Sequence, residues 1–243
     1  MKTLGVIGGL GPMATAYFLQ LITQMTDAAT DQEHMEILIH SKPQIPDRTK
    51  YILGESQNSP VEDMVEVGRN LVSQGAEVLA MPCITAHYFQ KELESTIGIP
   101  IINGIEETAL YLKERGYEKI GIMATDGTIQ SRIFQGTLEK YKMQVSVPGE
   151  QNQKKVMHLI YDNVKAGKTL EQELFEEVTD ELFQKGVQII LLGCTELSLI
   201  KKECTLPPGF LDVMEVLAQK AVLSCASLKE EYKELITCSD RNI

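Results

Sequence analysis

The sequence predicts an α/β protein made of two similar parallel-sheet α/β lobes, related by pseudo-two-fold symmetry, with the active site in the cleft between them. Three observations predict this. Short β-branched runs alternate with longer segments of helical period, which is typical of parallel strands joined by helices. One helix–strand–turn pattern occurs twice without a gap. The chain has 243 residues, enough for two small lobes that share a core.

The predicted elements follow in chain order. Strands are expected at 3–7, 36–40, 78–81, 101–102, 119–123 and 187–192, where the short apolar runs lie. Helices are expected at about 13–28, 61–73, 105–114, 131–141, 153–165, 169–184 and 213–235. We expect residues 1–115 and 212–243 to form the first lobe, with the C-terminal helix packing back on it, and residues 116–211 to form the second.

The internal repeat supports each half of this division. Residues 71–83 align with residues 182–194 without a gap, which places Cys83 opposite Cys194. Upstream at the same offset, the buried stripe of one helix faces that of the other, Met64, Val67 and Leu71 against Phe175, Val178 and Leu182. One cysteine after a strand is usually coincidence, but two at the same register indicate equivalent positions. Each would lie at the carboxyl end of a strand, where open α/β sheets bind ligands.

Charge and hydropathy exclude two classes of partner. Lys and Arg number 23 and Asp and Glu number 34, a net charge of -11, which argues against a nucleic-acid surface. An anionic substrate must therefore bind a local basic spot. No apolar run approaches the roughly 20 residues that span a bilayer, and the N-terminal run is too short for a signal peptide. We expect a cytoplasmic protein that binds neither nucleic acid nor membrane.

The cysteine pattern excludes two further classes of site. The chain has five cysteines, an odd number at wide spacing, which does not suit a disulfide framework. No C-x-x-C pair occurs, so a structural zinc site is not expected. We expect Cys204, Cys225 and Cys238 to be small apolar fillers or surface thiols.

A pair of opposed thiols suits proton transfer at a stereocentre. A cysteine at a helix start feels the positive end of the helix dipole, which favours its thiolate. Racemisation needs a base on one face of the substrate and an acid on the other, in both directions, and two identical groups meet that need. Thr85 and Thr195 follow the cysteines and could stabilise charge at the α-carboxylate. His87, four residues after Cys83, lacks an obvious carboxylate partner and is more typical of helix packing or a supporting hydrogen bond.

Four ordered motifs resemble those of the aspartate/glutamate racemase family. They are Gly8-Gly9-Leu10-Gly11-Pro12, Pro43-Gln44-Ile45-Pro46-Asp47-Arg48-Thr49, Cys83-Ile84-Thr85-Ala86-His87 and Gly193-Cys194-Thr195-Glu196-Leu197. Asp212 and the helix after it fit the family's closing segment, so the resemblance runs from Gly5 to about Ala221. The two cysteine motifs are its specific part, because a Gly-rich loop after a strand is common.

The resemblance implies a racemase of acidic amino acids that uses no PLP or other cofactor and has Cys83 and Cys194 as its catalytic residues. It also implies a cytoplasmic homodimer with the substrate between two lobes. The substrate-binding positions that it implies are Asp47, Arg48 and Thr49 with Lys165 at the side-chain carboxylate, and Ile84, Thr85 and Ala86 at the α-carboxylate. The family commonly has Asn where this chain has Ile84, so one polar substrate contact is absent.

Several alternatives remain open from the residues themselves. Without the resemblance, Arg48 could equally be an exposed loop arginine, and Lys165 a solvated lysine near a helix end. Glu196 could orient Cys194 or simply favour the start of a helix. The loop at residues 8–12 could cradle a phosphate, but it lacks the spacing of known phosphate-binding motifs. The chain could also be a related hydantoin racemase, a decarboxylase that uses one thiol, or a non-catalytic binder of acidic amino acids.

Overall fold

The computed structural model describes residues 1–168, 171–203 and 205–238, and it contains two parallel sheets. The first has the strand order β2-β1-β3 and the second β5-β4-β6-β7. The strands are β1 (Leu4–Gly8), β2 (Ile37–Ser41), β3 (Val78–Ala80), β4 (Lys119–Met123), β5 (Gln144–Ser146), β6 (Ile189–Leu192) and β7 (Phe210–Asp212). The prediction of an α/β protein with two parallel-sheet lobes is therefore confirmed.

Helices surround both sheets. Before β4 they are α1 (Pro12–Met25), α2 (Arg48–Ile52), α3 (Val61–Ser73), a 3-10 helix (Ile84–Phe89), α4 (Gln90–Ile97) and α5 (Gly104–Glu114). After β4 they are α6 (Asp126–Gln130), α7 (Ile133–Lys140), α8 (Glu150–His158) with a π-helix (Leu159–Val164), α9 (Gln172–Gln184), α10 (Thr195–Glu203) and α11 (Val213–Cys225). No helix in the described ranges is long and apolar enough to cross a membrane.

The internal repeat is visible in the local structure. In each sheet the strand that comes first in the chain lies between the second and the third. The buried positions of α3 and α9 correspond one for one at the predicted offset, Met64, Val67, Gly68 and Leu71 against Phe175, Val178, Thr179 and Leu182. Gly75 and Gly186 follow these helices with positive φ angles of 109° and 78°, as expected for caps. The shared strand order supports a two-fold relation between the lobes, which stays a prediction.

A shared core joins the two sheets. Leu4 and Val6 of β1 belong to the same buried cluster as Ile120 and Ile122 of β4, and Leu217 of α11 lies in that cluster too. Helix α11 packs against α1 and α5, while α5 also packs against α7. The two sheets are therefore held together by apolar contacts and not only by the connecting chain. The exact division of the chain into lobes stays a prediction.

Several predicted boundaries were wrong. The helix expected at 213–235 ends at Cys225, because Ala226 is extended and Leu228 forms an antiparallel bridge to Thr26. The helix expected at 131–141 is α7, which begins only after Arg132, whose φ is 55°, and the short α6 before it was not predicted. The strand expected at 101–102 is a single bridge, and α2, α4, β5 and β7 were not predicted. The first two residues of the helix expected at 169–184, and Cys204, lie outside the described residues.

The turn after β1 depends on Gly9. Its φ is 86°, a region that residues with a Cβ rarely adopt, and an added Cβ would lie 2.5 Å from the Lys42 backbone. Pro12 is the first residue of α1, as predicted. The glycine therefore lets the loop run against the chain that leaves β2, which positions Leu10.

We predict that Gly9→Ala destabilises the protein more than Gly54→Ala does. Gly54 has a φ of 75° but nothing within 4 Å of an added Cβ, so its substitution meets only the backbone penalty, about 1–2 kcal/mol. The backbone clash at Gly9 should add more than about 1 kcal/mol to the loss in free energy of unfolding, measured in urea. Equal losses in the two variants would contradict this view of the loop.

Candidate active site

One small cavity at the carboxyl ends of the strands brings both predicted thiols together. Its lining residues are Leu10, Asp47, Arg48, Thr49, Cys83, Ile84, Thr85, Thr125, Tyr161, Lys165, Cys194, Thr195 and Glu196. Every predicted site residue except Ala86 is among them. Ala86 is fully buried in the first lobe, and its N–H donates to the Cys83 carbonyl at 3.0 Å.

Cys83 lies in an extended conformation between β3 and the 3-10 helix that begins at Ile84. The residue is 6% exposed and lies with its thiol in the cavity. The first N–H groups of a helix have no partner within the helix, so the start of this turn offers donors beside the thiol. The predicted position of a cysteine at a helix start is therefore present at Cys83.

Arg48 is the first residue of α2 and is 9% exposed, so the alternative of an exposed loop arginine is wrong. Its guanidinium donates from Nη1 to the carbonyls of Ile45 and Pro46, and from Nη2 to the Leu10 carbonyl at 2.9 Å. Two of its five donors, on Nε and Nη2, have no oxygen partner among the described residues. These donors could serve an anion, while the other three hold the loops together.

The charge of Arg48 is coupled to Cys83. Burial disfavours the charged guanidinium, but the charges of Cys83 and Asp47 outweigh that effect and raise the pKa of Arg48. The guanidinium is thus held close enough to Cys83 to attract a negative charge on its sulfur.

Cys194 lies beside a carboxylate, whereas Cys83 lies beside the Arg48 guanidinium. It directly precedes α10 and is 6% exposed, and its thiol donates to Glu196 Oε2 at a distance of 2.9 Å. Burial, and then the negative charge of Glu196, raise the pKa of the Cys194 thiol well above its usual range. Thr195 Oγ1 also lies 3.3 Å from Glu196 Oε2. Cys194 is therefore held as the protonated thiol of the pair.

Glu196 fulfils both interpretations that the sequence left open. It lies in the first turn of α10, where the helix dipole favours a carboxylate, and it also contacts Cys194. Its second oxygen, Oε1, is 4.0 Å from Lys165 Nζ. A Cβ at Gly11 would approach Oε1 to 2.9 Å, so the glycine leaves room for this carboxylate.

Lys165 reaches the cavity from the end of the π-helix. Its side chain is 28% exposed, and its Nζ lies 4.1 Å from the centroid of the Tyr161 ring. Burial disfavours the ammonium, but the charges of Glu196 and Cys194 outweigh it and raise the pKa of Lys165. The lysine therefore lies at the mouth of the cavity, with its ammonium beside the Tyr161 ring and its side chain partly open to solvent.

Three threonine hydroxyls form a closed ring on the floor of the site. Thr85 Oγ1 lies 3.1 Å from Thr125 Oγ1 and 3.0 Å from Thr128 Oγ1, and the last two are 3.1 Å apart. Each hydroxyl has one proton to donate, so three contacts use all three protons. The ring links the chain after β3 to the chain after β4, and it fixes the start of α6 against Thr85.

His87 supports Cys83 through the backbone. Its Nδ1 lies 3.1 Å from the Cys83 carbonyl, and its Nε2 accepts from the Gly104 N–H at 3.1 Å. The second bond requires Nε2 to be unprotonated, so Nδ1 carries the proton and donates to the carbonyl. Burial lowers the pKa of His87, which favours this neutral form. The histidine ties Cys83 to α5 and does not act as its base.

Access to the thiols is restricted in this conformation. The cavity measures only about 10 Å³, room for roughly one water molecule. It adjoins an open vestibule of about 550 Å³, and the residues shared by both spaces are Leu10, Asp47, Arg48, Lys165 and Glu196. An amino acid can therefore reach the thiols only when side chains at this boundary move.

Sequence reasoning gave no role to three lining residues, Leu10, Thr125 and Tyr161. Thr125 carries a detectable signal, because it follows β4 as the Gly8 loop follows β1. Tyr161 has a weaker signal, four residues before Lys165 on a segment of helical period. Within the described ranges, no group of three or more His, Cys, Asp and Glu side chains is placed to hold a metal ion.

We predict that the wild type loses stability relative to His87→Gln as the pH falls from about 7.5 to about 5.5. The folded-state pKa of His87 is lowered, so the unfolded chain takes up a proton that the folded chain resists. The loss approaches about 1.4 kcal/mol per pH unit once the pH lies below the unfolded-state pKa of about 6.5. Glutamine retains a donor and an acceptor but does not titrate. Urea unfolding at several pH values measures the difference, and parallel curves would refute it.

Comparisons with known proteins agree with this architecture. Residues 7–221 match the sequence profile of the Asp/Glu/Hydantoin racemase family. The solved structure of an aspartate racemase from Picrophilus torridus is similar, with a TM-score of 0.85 and 33% identity over 96% of this chain and 98% of that one. A glutamate racemase from Francisella tularensis, solved with D-glutamate, has the same fold, with a TM-score of 0.65 and 19% identity over 92% of this chain and 80% of that one.

A curated relative of nearly the same length extends the comparison. The broad specificity amino-acid racemase RacX of Bacillus subtilis is 23% identical over 228 residues, which are 90% of this chain and 96% of RacX. The family match covers both cysteine motifs and the cavity between them. The resemblance found in the sequence is thereby confirmed: the chain belongs to the Asp/Glu/Hydantoin racemase family and is a racemase.

Proposed function

We propose that this racemase inverts the α-carbon of an acidic amino acid, aspartate or glutamate, with Cys83 and Cys194 as its two acid/base groups. The observation that carries the proposal is the pairing of the thiols with opposite charges in one cavity. Cys194 donates to the Glu196 carboxylate at 2.9 Å, while the Arg48 guanidinium faces Cys83. We therefore assign Cys194 as the acid and Cys83 as the base in one direction of the reaction.

The proton steps balance without another reactant. In one direction the Cys83 thiolate takes the α-proton from one face of the substrate, and the Cys194 thiol gives its proton to the opposite face. The product leaves with inverted configuration and carries the proton from Cys194, while Cys83 holds the α-proton of the substrate and Cys194 is left as a thiolate. The reverse reaction exchanges the roles, as two-base catalysis requires. The raised pKa of Cys194 keeps its sulfur protonated before turnover and makes the thiolate that it leaves behind a strong base for the reverse direction.

The cations of the cavity support an acidic substrate. The protein has a net charge of -11, yet Arg48 and Lys165 both line this one small space. The donors of Arg48 that have no oxygen partner and the ammonium of Lys165 suit a side-chain carboxylate, with Asp47 and Thr49 completing that end of the site. The name of the Picrophilus torridus relative, an aspartate racemase, points the same way.

We propose that groups of the protein itself stabilise the negative charge that develops at the α-carbon. The start of the 3-10 helix offers the backbone N–H groups of Ile84 and Thr85 to the α-carboxylate, and Thr195 lies on the Cys194 side. The Thr85 hydroxyl is engaged with Thr125 and Thr128, so its role is to fix the turn that presents these N–H groups. We propose that no cofactor takes part.

We further propose that the enzyme acts in the cytoplasm as a homodimer. Cys83, Cys194, Cys225 and Cys238 are all free thiols, which suits a reducing compartment. Met13 and Leu19 of α1 are 68% and 39% exposed, individual apolar side chains of the kind that a second copy would cover. Sedimentation of the purified protein at twice the monomer mass is expected, and a monomer at micromolar concentration would disprove the dimer.

We predict that the purified enzyme racemises L-aspartate or L-glutamate without added PLP or metal. Chiral chromatography of a panel of acidic, neutral and hydantoin substrates measures the activity. Turnover of hydantoins alone would assign the chain to the hydantoin branch of the family. Binding of acidic amino acids by calorimetry, without turnover of any of the panel, would favour the non-catalytic alternative.

We predict that Cys83→Ser and Cys194→Ser each reduce racemisation by at least about a hundredfold, because a hydroxyl is a far weaker proton-transfer group at neutral pH. Cys238→Ser is the matched control, since Cys238 is exposed and far from the cavity lining. It should retain wild-type kcat and KM. Retained turnover in both single variants of the thiol pair would refute the two-thiol mechanism.

A further inference from the structure

Tyr161 is a cavity residue to which the mechanism above gives no role. It lies in the π-helix, lines the cavity beside both thiols and is half-buried. The wider turn is shown by the Lys165 N–H, which donates to the Ile160 carbonyl five residues earlier at 3.0 Å. With that spacing Tyr161 and Lys165 lie over one another on the same face of the helix, and the Lys165 ammonium is 4.1 Å from the ring centroid.

The Lys165 ammonium lies over the Tyr161 ring and makes no direct hydrogen bond to the Glu196 carboxylate. Its distance to Glu196 Oε1 is 4.0 Å, longer than a hydrogen bond. The pair Lys201–Glu215, with side chains 15% and 14% exposed, shows what direct contact looks like, since its atoms are 2.5 Å apart. Among the described residues, Lys165 Nζ donates no hydrogen bond to a carboxylate. Glu196 Oε2 accepts from Cys194, and Glu196 Oε1 is 4.0 Å away.

A ring differs from a carboxylate as a partner for a buried cation. The negative face of the ring compensates part of the lost hydration by a cation–π interaction. It takes up none of the three N–H donors of the ammonium and cancels none of its charge. The donors therefore remain available to an anion that enters the cavity.

We propose that Tyr161 is a specificity-determining residue whose ring holds the Lys165 ammonium away from Glu196, so that it can bind the distal carboxylate of a dicarboxylic amino acid. This rests on the proposed function and names the group that selects its substrate class. A neutral side chain entering the site would leave the ammonium desolvated and without a counter-charge, which penalises its binding. Without the ring, the ammonium would close on Glu196, which would consume the cation and draw the carboxylate from Cys194.

The ring and the hydroxyl of Tyr161 can be tested separately. The hydroxyl lies 3.4 Å from Asp47 Oδ2, a long contact, and also contacts Thr49, so Tyr161→Phe removes these hydroxyl contacts and keeps the cation–π partner. Tyr161→Leu removes the ring but keeps an apolar side chain. Tyr88→Leu, which replaces a 49% exposed tyrosine outside the cavity lining, is the control for loss of a ring elsewhere.

Two readouts test the proposal on the full-length enzyme. For Tyr161→Leu we expect the KM for aspartate and the Ki for succinate, a dicarboxylate without the amino group, to rise about tenfold, with a smaller change in kcat. Tyr161→Phe and Tyr88→Leu should stay within about twofold of wild type on both. Unchanged KM and Ki in Tyr161→Leu would overturn the proposal. An equal effect in Tyr161→Phe would overturn it too, since the hydroxyl would then be responsible.

Succinate binding also separates this inference from the proposed function. If the wild type racemises no acidic amino acid, the proposed function fails, but calorimetry with succinate still reports whether the ring keeps Lys165 free. If the wild type is active and Tyr161→Leu binds succinate as tightly as wild type, only the role of Tyr161 fails. Urea unfolding of Tyr161→Leu shows whether a loss of binding reflects a loss of folded protein, and Tyr161→Phe then remains as the folded comparison.

Discussion

The proposed mechanism sets one constraint on the site: two chemically identical thiols in a buried cavity must differ in protonation. Two thiols or two thiolates could not both take and give a proton in one turnover. The protein meets this constraint with unequal neighbours. Cys194 donates to the Glu196 carboxylate, and burial with that charge raises its pKa, whereas Cys83 faces the Arg48 guanidinium. The remaining features of the site place or protect these two contacts.

The repeated architecture explains how such unequal neighbours arise around equivalent cysteines. At the offset that aligns Cys83 with Cys194, Thr85 aligns with Glu196 and His87 with Ser198. In the first copy, the residue two after the cysteine joins a hydroxyl ring and the residue four after it binds the Gly104 N–H. In the second copy, the corresponding side chains contact the thiol itself and Asp212. The backbone is thus repeated while the chemistry has diverged.

Helices α5 and α11 also begin with similar side-chain caps. Asn103 accepts from the N–H groups of Ile105 and Glu106 at the start of α5, and Asp212 accepts from the Met214 N–H at the start of α11. Asn103 follows the bridge at Ile101, and Asp212 is the last residue of β7. Burial raises the pKa of Asp212 to about 7, an effect opposed by Lys201 and by the Ser198 hydroxyl that donates to it at 2.6 Å. The carboxyl cap of α11 therefore changes its protonation near neutral pH, whereas the amide cap of α5 does not titrate.

The sequence could predict the features that repeat or follow a period. The α/β class, the aligned buried positions of α3 and α9 and the common cavity of the two thiols all depend on such patterns. The sequence could not predict features that depend on pairing between distant segments. Strand β7 is defined by its bonds to β6, and α11 ends where Leu228 meets Thr26. The sequence also could not predict the direction of a side chain. The order Cys194-Thr195-Glu196 does not show whether the Glu196 carboxylate contacts the Cys194 sulfur.

In the proposed mechanism, two sulfurs on opposite faces of the substrate act as base and acid. The most direct measurement is the position of deuterium early in the reaction of L-aspartate with the wild-type enzyme in deuterated water. The two-thiol account predicts that the D-aspartate formed carries deuterium at the α-carbon, while the remaining L-aspartate keeps its protium, because the acid that completes the inversion is a solvent-exchanged thiol. Deuterium appearing equally in both enantiomers at early times, or protium carried over into the product, would contradict it, since either result requires a single group that serves both faces.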